Sequence, residues 1–411
     1  MKGKNILVIN DIFAPNSAGA ETLAVAIASK LATRGHQVTF CACYGTRERY
    51  QVYKSIDVYV FQDEPIRFSN LTTIYNKTAL QKLTEFLKDR FFDVCLINSV
   101  HSGFSYAALA LLKRYVGQCV HIMHDITGLT YGGYVGFADP SLKRADEIDF
   151  KITTASLIKQ YGIKVMPFRN SIIKRMLRQV DKIVAVSSVH ERVLNANGIF
   201  NTTVIHPGVE SANFQSVSHP SNCHYEFRIL FAGRATIGKG LIPLLEMARN
   251  LKANDKFQIR ITASREGELA ALLDRQYADL ENCIFCEGWQ DKASLSKLYS
   301  SCDILISPSV AFETFCLVNL EAGLHGTPVI SSIYGGPVDY VIDGYNGYLV
   351  NPVDTNCLTD RVLRFMSDEN LVRTMGANNR LRACEFSLDR AIDSYESLLF
   401  DNKTQKEVSV R

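Results

Sequence analysis

Glu313 and Glu321 stand eight positions apart within residues 309–336, SVAFETFCLVNLEAGLHGTPVISSIYGG. The first falls in a turn-like stretch just before an apolar helical run, and the second lies inside that run. A helix N-terminus offers N–H groups without intrahelical partners and the positive end of the dipole, both suited to an anionic phosphate. A carboxylate just ahead of that terminus can accept hydrogen bonds from ligand hydroxyls. One two turns further in can grip a second polyol on the same ligand. Phosphate flanked by two polyols describes a nucleotide-sugar. Taken without their context, the same acids read as an exposed helix residue and a plain helix-start acid.

Upstream, FAGRATIGKG ends a strand at Ala232 and sets Arg234 and Lys239 around a glycine-containing loop. Two cations at the C-terminal edge of a strand can neutralise a diphosphate, Arg as a planar fork and Lys as a point charge. Isolated, the pair would be two solvated surface charges. Near the N-terminus, PNSAGAETLAVAIASKLATRGH puts a small-residue turn containing Gly19 before an amphipathic helix, a geometry that lets backbone N–H groups point at a ligand. The plain alternative is a strand-to-helix connection that needs conformational freedom.

The elements that must hold these groups alternate. Strands are expected at Asn5–Ile9, Gln37–Cys41, Val94–Ile97, Cys119–Met123, Lys182–Val186 and Thr203–Ile205. A second series is expected at Arg228–Ala232, Gln258–Thr262, Cys283–Glu287, Ile304–Ser307, Pro328–Ser331 and Gly347–Val350. Helical patterns between them predict an α/β protein of two doubly wound, Rossmann-like domains facing across a cleft, with ligands at the C-terminal strand edges. The expected boundaries are 1–205 for the first domain, 206–225 for a polar linker, 226–385 for the second domain, and 386–411 for a closing helix and tail. A chain of 411 residues suits two cores. With 47% hydrophobic and 21% charged residues it reads as globular, and a net charge of +3 does not support nucleic acid as the main partner. Of the eleven cysteines only Cys283 and Cys286 stand at CxxC spacing, with no second such pair to complete a site, which predicts reduced thiols in a cytoplasmic protein. The first strand follows too soon for a signal peptide, and no run of eighteen apolar residues occurs.

Together PNSAGAE, RGHQVTF, HPGV, FAGRATIGKG, the double-Glu segment with GTPVISS and GGPVDYVIDGYNGYLV, and the closing FSLDRAIDSYESLL resemble the GT-B glycosyltransferases of retaining family 4. The match runs along nearly the whole chain, and the order of its parts makes it specific. The resemblance implies transfer of a hexose-type sugar from a UDP-, GDP- or ADP-sugar to a saccharide or lipid-linked acceptor, without a metal or other cofactor. Glu313 would then contact the donor sugar, Glu321 the ribose, and the backbone amides of Phe315, Cys316 and Leu317 the diphosphate. Family members usually have glycine at the positions of Thr314 and Cys316. Gly19 would approach the diphosphate or the acceptor, and the closing helix would cross back to the first domain.

After the strand ending near Met123, His124 is then the candidate for positioning the sugar, and Asp125 for an acceptor contact or a local turn cap. Trp289 and Arg265 fall where the family binds the base, although Trp289 suits buried packing equally well. The fold also hosts nucleotide-sugar epimerases, and a non-catalytic nucleotide-sugar-binding subunit is a further alternative. Lys151–Val180 carries seven bases (Lys151, Lys159, Lys164, Arg169, Lys174, Arg175 and Arg178) and no acid. Such an amphipathic stretch is either an ordinary solvated face or a peripheral contact with the anionic cytoplasmic face of a membrane.

Overall fold

The computed structural model describes residues 3–15, 19–45, 49–61, 70–210, 226–252 and 256–400. The chain divides into two compact units, residues 1–132, 151–208 and 388–411 in the first, and 133–150 and 209–387 in the second. The expected linker lies mostly outside the described residues, as does the polar tail after Phe400.

The first unit contains β1 (Asn5–Ile12), β2 (Gln37–Tyr44), β3 (Tyr50–Tyr53), β4 (Ile56–Val60), β5 (Val94–Ile97), β6 (Gln118–Met123), β7 (Lys182–Ala185) and β8 (Thr202–Val204). They form one sheet in the order β3-β4-β2-β1-β5-β6-β7-β8. Only the edge pair β3–β4 is antiparallel. The VCLI of β5 is buried at all four positions, as a strand covered on both faces must be. Strand order reverses at β1 and β5, so the loops leaving them meet at the C-terminal edge.

The six expected strands of this half are present, β1 and β2 each running three residues further than anticipated. The β3–β4 hairpin is the addition. It turns through Lys54 and Ser55, both at positive φ (45° and 64°), a conformation usually announced by Asn-Gly or Asp-Gly.

The second unit contains β9 (Phe227–Phe231), β10 (Phe257–Ile261), β11 (Ile284–Cys286), β12 (Ile304–Ser307), β13 (Val329–Ser332) and β14 (Gly347–Val350). Their order is β11-β10-β9-β12-β13-β14 and every pairing is parallel. Ile229, Ile259 and Ile261 pack with Leu244, Leu245 and Phe365 in its core. This is a doubly wound sheet whose switch point lies between β9 and β12, the two strands that feed the Arg234–Lys239 loop and the Glu313 segment.

One stretch falls outside its expected domain. Residues 133–150, anticipated in the first, cluster with the second. Phe137 stands edge-on to Phe150 (5.3 Å between ring centres) and to Phe312 (5.6 Å). The Asn351 amide donates to the carbonyls of Asp139 (2.8 Å) and Leu142 (2.9 Å). The closing helix, Leu388–Phe400, clusters with the first unit, where it meets the helix Ala20–Thr33 and the Arg34 that follows it. Arg34 donates to Asp393 at 2.5 Å and Glu396 at 2.6 Å.

Candidate active site

Lys239 leaves β9 through a loop stitched to the segment beyond β12. The carbonyl of Gly238 accepts from the backbone of Val310 (3.1 Å) and Ala311 (2.9 Å). Gly240, at φ 87°, lies so close that an added Cβ would sit 1.9 Å from the carbonyl oxygen of Pro308. Only glycine fits there, and its closeness seats Lys239 beside the acid. Lys239 Nζ donates to Glu313 Oε1 at 2.5 Å, and Ser309 Oγ donates to the same oxygen at 2.7 Å. The Glu313 backbone is held by Gly335, where an added Cβ would lie 1.9 Å from its carbonyl oxygen. Burial opposes the charge on Lys239, but the Glu313 carboxylate outweighs it and raises the pKa above the ordinary value. Arg234, exposed at the mouth of the loop, is near enough for its charge to act against that of Lys239.

The helix Leu317–Leu324 starts beside this pair. Its N-cap is Cys316, in the left-handed region at φ 73°. The backbone there keeps a conformation that favours glycine, although the residue carries a side chain. Burial, with the nearby Glu313 charge, pushes the Cys316 thiol up to about 12, so it is no nucleophile at neutral pH. Phe315 is buried against Phe386 and Tyr340. Cys316 and Leu317 occupy the start of the helix, where the backbone N–H groups have no intrahelical partner.

Glu321 lies one turn into the same helix. The buried Tyr299 hydroxyl donates to its Oε2 at 2.7 Å, while burial raises its pKa above the ordinary value. A buried triangle anchors the helix to two strands. Ser307 Oγ donates to Asn319 Oδ1 (2.7 Å) and lies 2.8 Å from Ser331 Oγ, which accepts from Asn319 Nδ2 (2.9 Å).

Of the two candidates for the nucleotide base, one is paired with acids and the other is open to solvent. Arg265 is committed to Asp274 (2.8 Å) and Glu281 (2.7 Å) at the surface. Trp289 is 71% exposed, which removes the buried-packing alternative. Among the described residues no group of three or more His, Cys, Asp or Glu is arranged to hold a metal ion.

In the first unit, Gly19 caps the helix Ala20–Thr33 at φ 79°, a conformation that side chains other than glycine rarely adopt. His124 follows β6 and its Nε2 lies 3.1 Å from Asn98 Oδ1, at the end of β5. Burial lowers the His124 pKa to about 4, so the ring is neutral at physiological pH. Asp125 Oδ1 accepts from the Thr127 backbone at 2.7 Å, the turn-capping contact, while Oδ2 lies 3.7 Å from His101.

The sequence reading passed over Asp11, which organises this edge. Its Oδ1 accepts from the backbone of Gly103 (2.8 Å) and Phe104 (2.9 Å). Its Oδ2 accepts from the Ser102 backbone (2.7 Å) and from Ser99 and Ser102 hydroxyls (2.9 Å each). An acid at the end of the first strand, in NDIF, was the available signal.

Two doubly wound units, each with its polar loops at a C-terminal sheet edge, define the GT-B fold. Sucrose-phosphate synthase from Thermosynechococcus elongatus superimposes with a TM-score of 0.76 at 20% identity, covering 99% of this chain and 100% of that one. The Anabaena protein Alr3699/HepE, solved in complex with UDP-glucose, superimposes at 0.68 with 18% identity over 96% and 99% of the two chains. Among curated relatives, the lipopolysaccharide 1,2-N-acetylglucosaminetransferase of Salmonella typhimurium is 32% identical over 34% of this chain and only 39% of its own length. The N-acetyl-alpha-D-glucosaminyl L-malate synthase of Bacillus anthracis is 23% identical over 94% of this chain and 95% of its own.

Two family models match consecutive stretches, Glycosyltransferase Family 4 over residues 17–213 and Glycosyl transferases group 1 over residues 220–382. The chain belongs to this family of glycosyltransferases.

Proposed function

We propose that this chain moves a hexose-type sugar from a UDP-, GDP- or ADP-sugar to an acceptor hydroxyl on a saccharide or lipid-linked saccharide, with retention of anomeric configuration. One observation carries the reading: Lys239, Arg234, Glu313 and the start of the helix bearing Glu321 converge at the β9/β12 switch point. In this reading the donor diphosphate draws Lys239 away from Glu313 and is neutralised by Lys239, Arg234 and the amides of Phe315, Cys316 and Leu317. Glu313, relieved of its cation, accepts hydrogen bonds from the donor sugar. Tyr299 fixes the rotation of Glu321, so that its second oxygen can accept from the ribose.

Charge developing on the leaving diphosphate meets preoriented cations and amides, which is where most of the barrier reduction belongs. No metal is required in this scheme. His124 positions the sugar as a neutral ring, and Gly19 and Asp125 serve the diphosphate and acceptor sides. No side chain here stands out as a nucleophile, so same-face attack, with the leaving phosphate taking the acceptor proton, suits these residues better than a covalent intermediate. The protein works in the cytoplasm and rests peripherally on an anionic membrane face.

The test is turnover with a panel of nucleotide-sugars and acceptors. Lys239→Ala and Glu321→Ala should each lower transfer at least 100-fold, about 3 kcal/mol of transition-state stabilisation, with unchanged circular dichroism. Near-normal turnover in both variants discards the assignment. Product formed without any acceptor points to an epimerase instead. Transfer should also survive a chelator, and its loss in EDTA, restored by a divalent ion, removes the metal-free scheme.

A further inference from the structure

The basic stretch 151–180 is not the uniform face that its composition suggests. Arg169 is buried, donating to the carbonyls of Thr127 and Thr130 and lying over the Tyr131 ring at 4.7 Å. It belongs to the core. Around it, the helix Thr154–Tyr161 and the helix Arg169–Leu177 are joined by a turn with the opposite character. Ile163 is fully exposed, Phe168 80% exposed and Ile158 53% exposed.

An isolated apolar side chain on a surface is ordinary, but three within eleven residues are a patch. Lys159, Lys164 and Arg175 are exposed beside them, and the stretch contains no acid. The turn is also fixed. Tyr131 Oη accepts from the Met166 backbone (2.9 Å) and donates to the Met166 carbonyl (3.2 Å). Asn70 Nδ2 donates to the Lys164 carbonyl at 2.8 Å. Phe168 is held at φ 64°, a left-handed conformation unfavourable for an aromatic residue.

We propose that Ile163 and Phe168 form a membrane-inserting tip, with Lys159, Lys164 and Arg175 at the level of anionic lipid headgroups. The proposal rests on the peripheral-membrane part of the function proposed above and is independent of the sugar-transfer part. Apolar side chains presented outward on a fixed turn fit the apolar side of a bilayer interface, and the surrounding cations fit its surface charge. An acidic protein surface would match the cations but would leave two exposed apolar side chains without an apolar medium.

The experiment is co-sedimentation of the full chain with phosphatidylcholine vesicles, with and without phosphatidylglycerol, at low and raised salt. The wild-type chain should bind the anionic vesicles, more weakly as salt rises. Ile163→Ser with Phe168→Ser should reduce that partition by roughly tenfold or more, since two buried apolar side chains are lost. Because both side chains are exposed, the double variant should keep the wild-type melting temperature. Lys159→Glu with Lys164→Glu should remove the salt-dependent part. If the wild type binds and the double variant binds equally, the tip is overturned and the peripheral-membrane reading stands. Equal binding to neutral vesicles overturns the role of the cations. Binding to no vesicle overturns the tip and the membrane reading together, and leaves sugar transfer untouched.

Discussion

Three histidines of the first unit make its stability depend on pH. Burial lowers the pKa of His121 and His124 to about 4 and of His190 to about 3, from an ordinary value of 6.5. Between those values and 6.5 the unfolded chain binds more protons than the folded one, so stability falls as pH drops through that window and is unaffected above it. Each ring contributes a slope of about 1.4 kcal/mol per pH unit. Melting temperature should therefore decline from pH 6.5 towards pH 4. His121→Gln, which retains a donor for the Ile97 carbonyl now 2.9 Å from Nδ1, should flatten the slope by one proton. A melting temperature that holds steady over that interval contradicts the burial argument.

Cys316 allows a second test at this scale. Glycine accepts φ 73° without steric cost, so Cys316→Gly should stabilise the fold by up to about 1 kcal/mol in denaturant unfolding. Cys316→Val should destabilise it. Glu313 and Lys239 were legible because each sits at a fixed offset from a strand end. The pairing of Arg265 was not, since sequence position says nothing about the two acids beside it.

At the scale of elements, the helix Leu317–Leu324 is held by polar contacts that periodicity does not reveal. Ser307, Asn319 and Ser331 satisfy one another inside the second unit, with Asn319 fully buried. Asn319→Ala would leave two buried hydroxyls short of partners and a small void, a loss of about 1–3 kcal/mol in denaturant unfolding. It should also weaken donor affinity, because the helix start proposed to hold the diphosphate loses its anchor. A variant with full stability and full affinity would show that the triangle positions nothing. The strands themselves were readable, because buried parallel strands are short continuous apolar runs. The β3–β4 hairpin was not, since Lys54-Ser55 lacks the usual turn residues and the edge strand β3 is only four residues long with none of them buried.

At the scale of the whole molecule, the two units are not continuous in sequence. The chain leaves the first at Gly132, contributes residues 133–150 to the second, and returns at Lys151. Nothing in YGGYVGFAD announces this, because its aromatic residues suit either unit and only the contacts decide. Those contacts are specific. The Phe312 backbone donates to the Tyr134 carbonyl at 2.8 Å, and Tyr334 Oη accepts from the Asp139 backbone at 3.1 Å. Phe312, Tyr334 and Asn351, all buried, lie beneath this segment.

A fragment of residues 209–387, the second unit cut at its apparent sequence boundary, would therefore expose an aromatic surface beside Glu313. It should bind a hydrophobic dye and melt below the full chain. A peptide of residues 133–150 in excess should quench the dye and raise the melting temperature in a concentration-dependent way, as any ligand selective for the folded state does. If the fragment melts like the full chain and ignores the peptide, the segment is no part of the second core. If the peptide restores stability and also improves donor affinity, then residues far upstream in sequence help to shape the floor on which Glu313 stands.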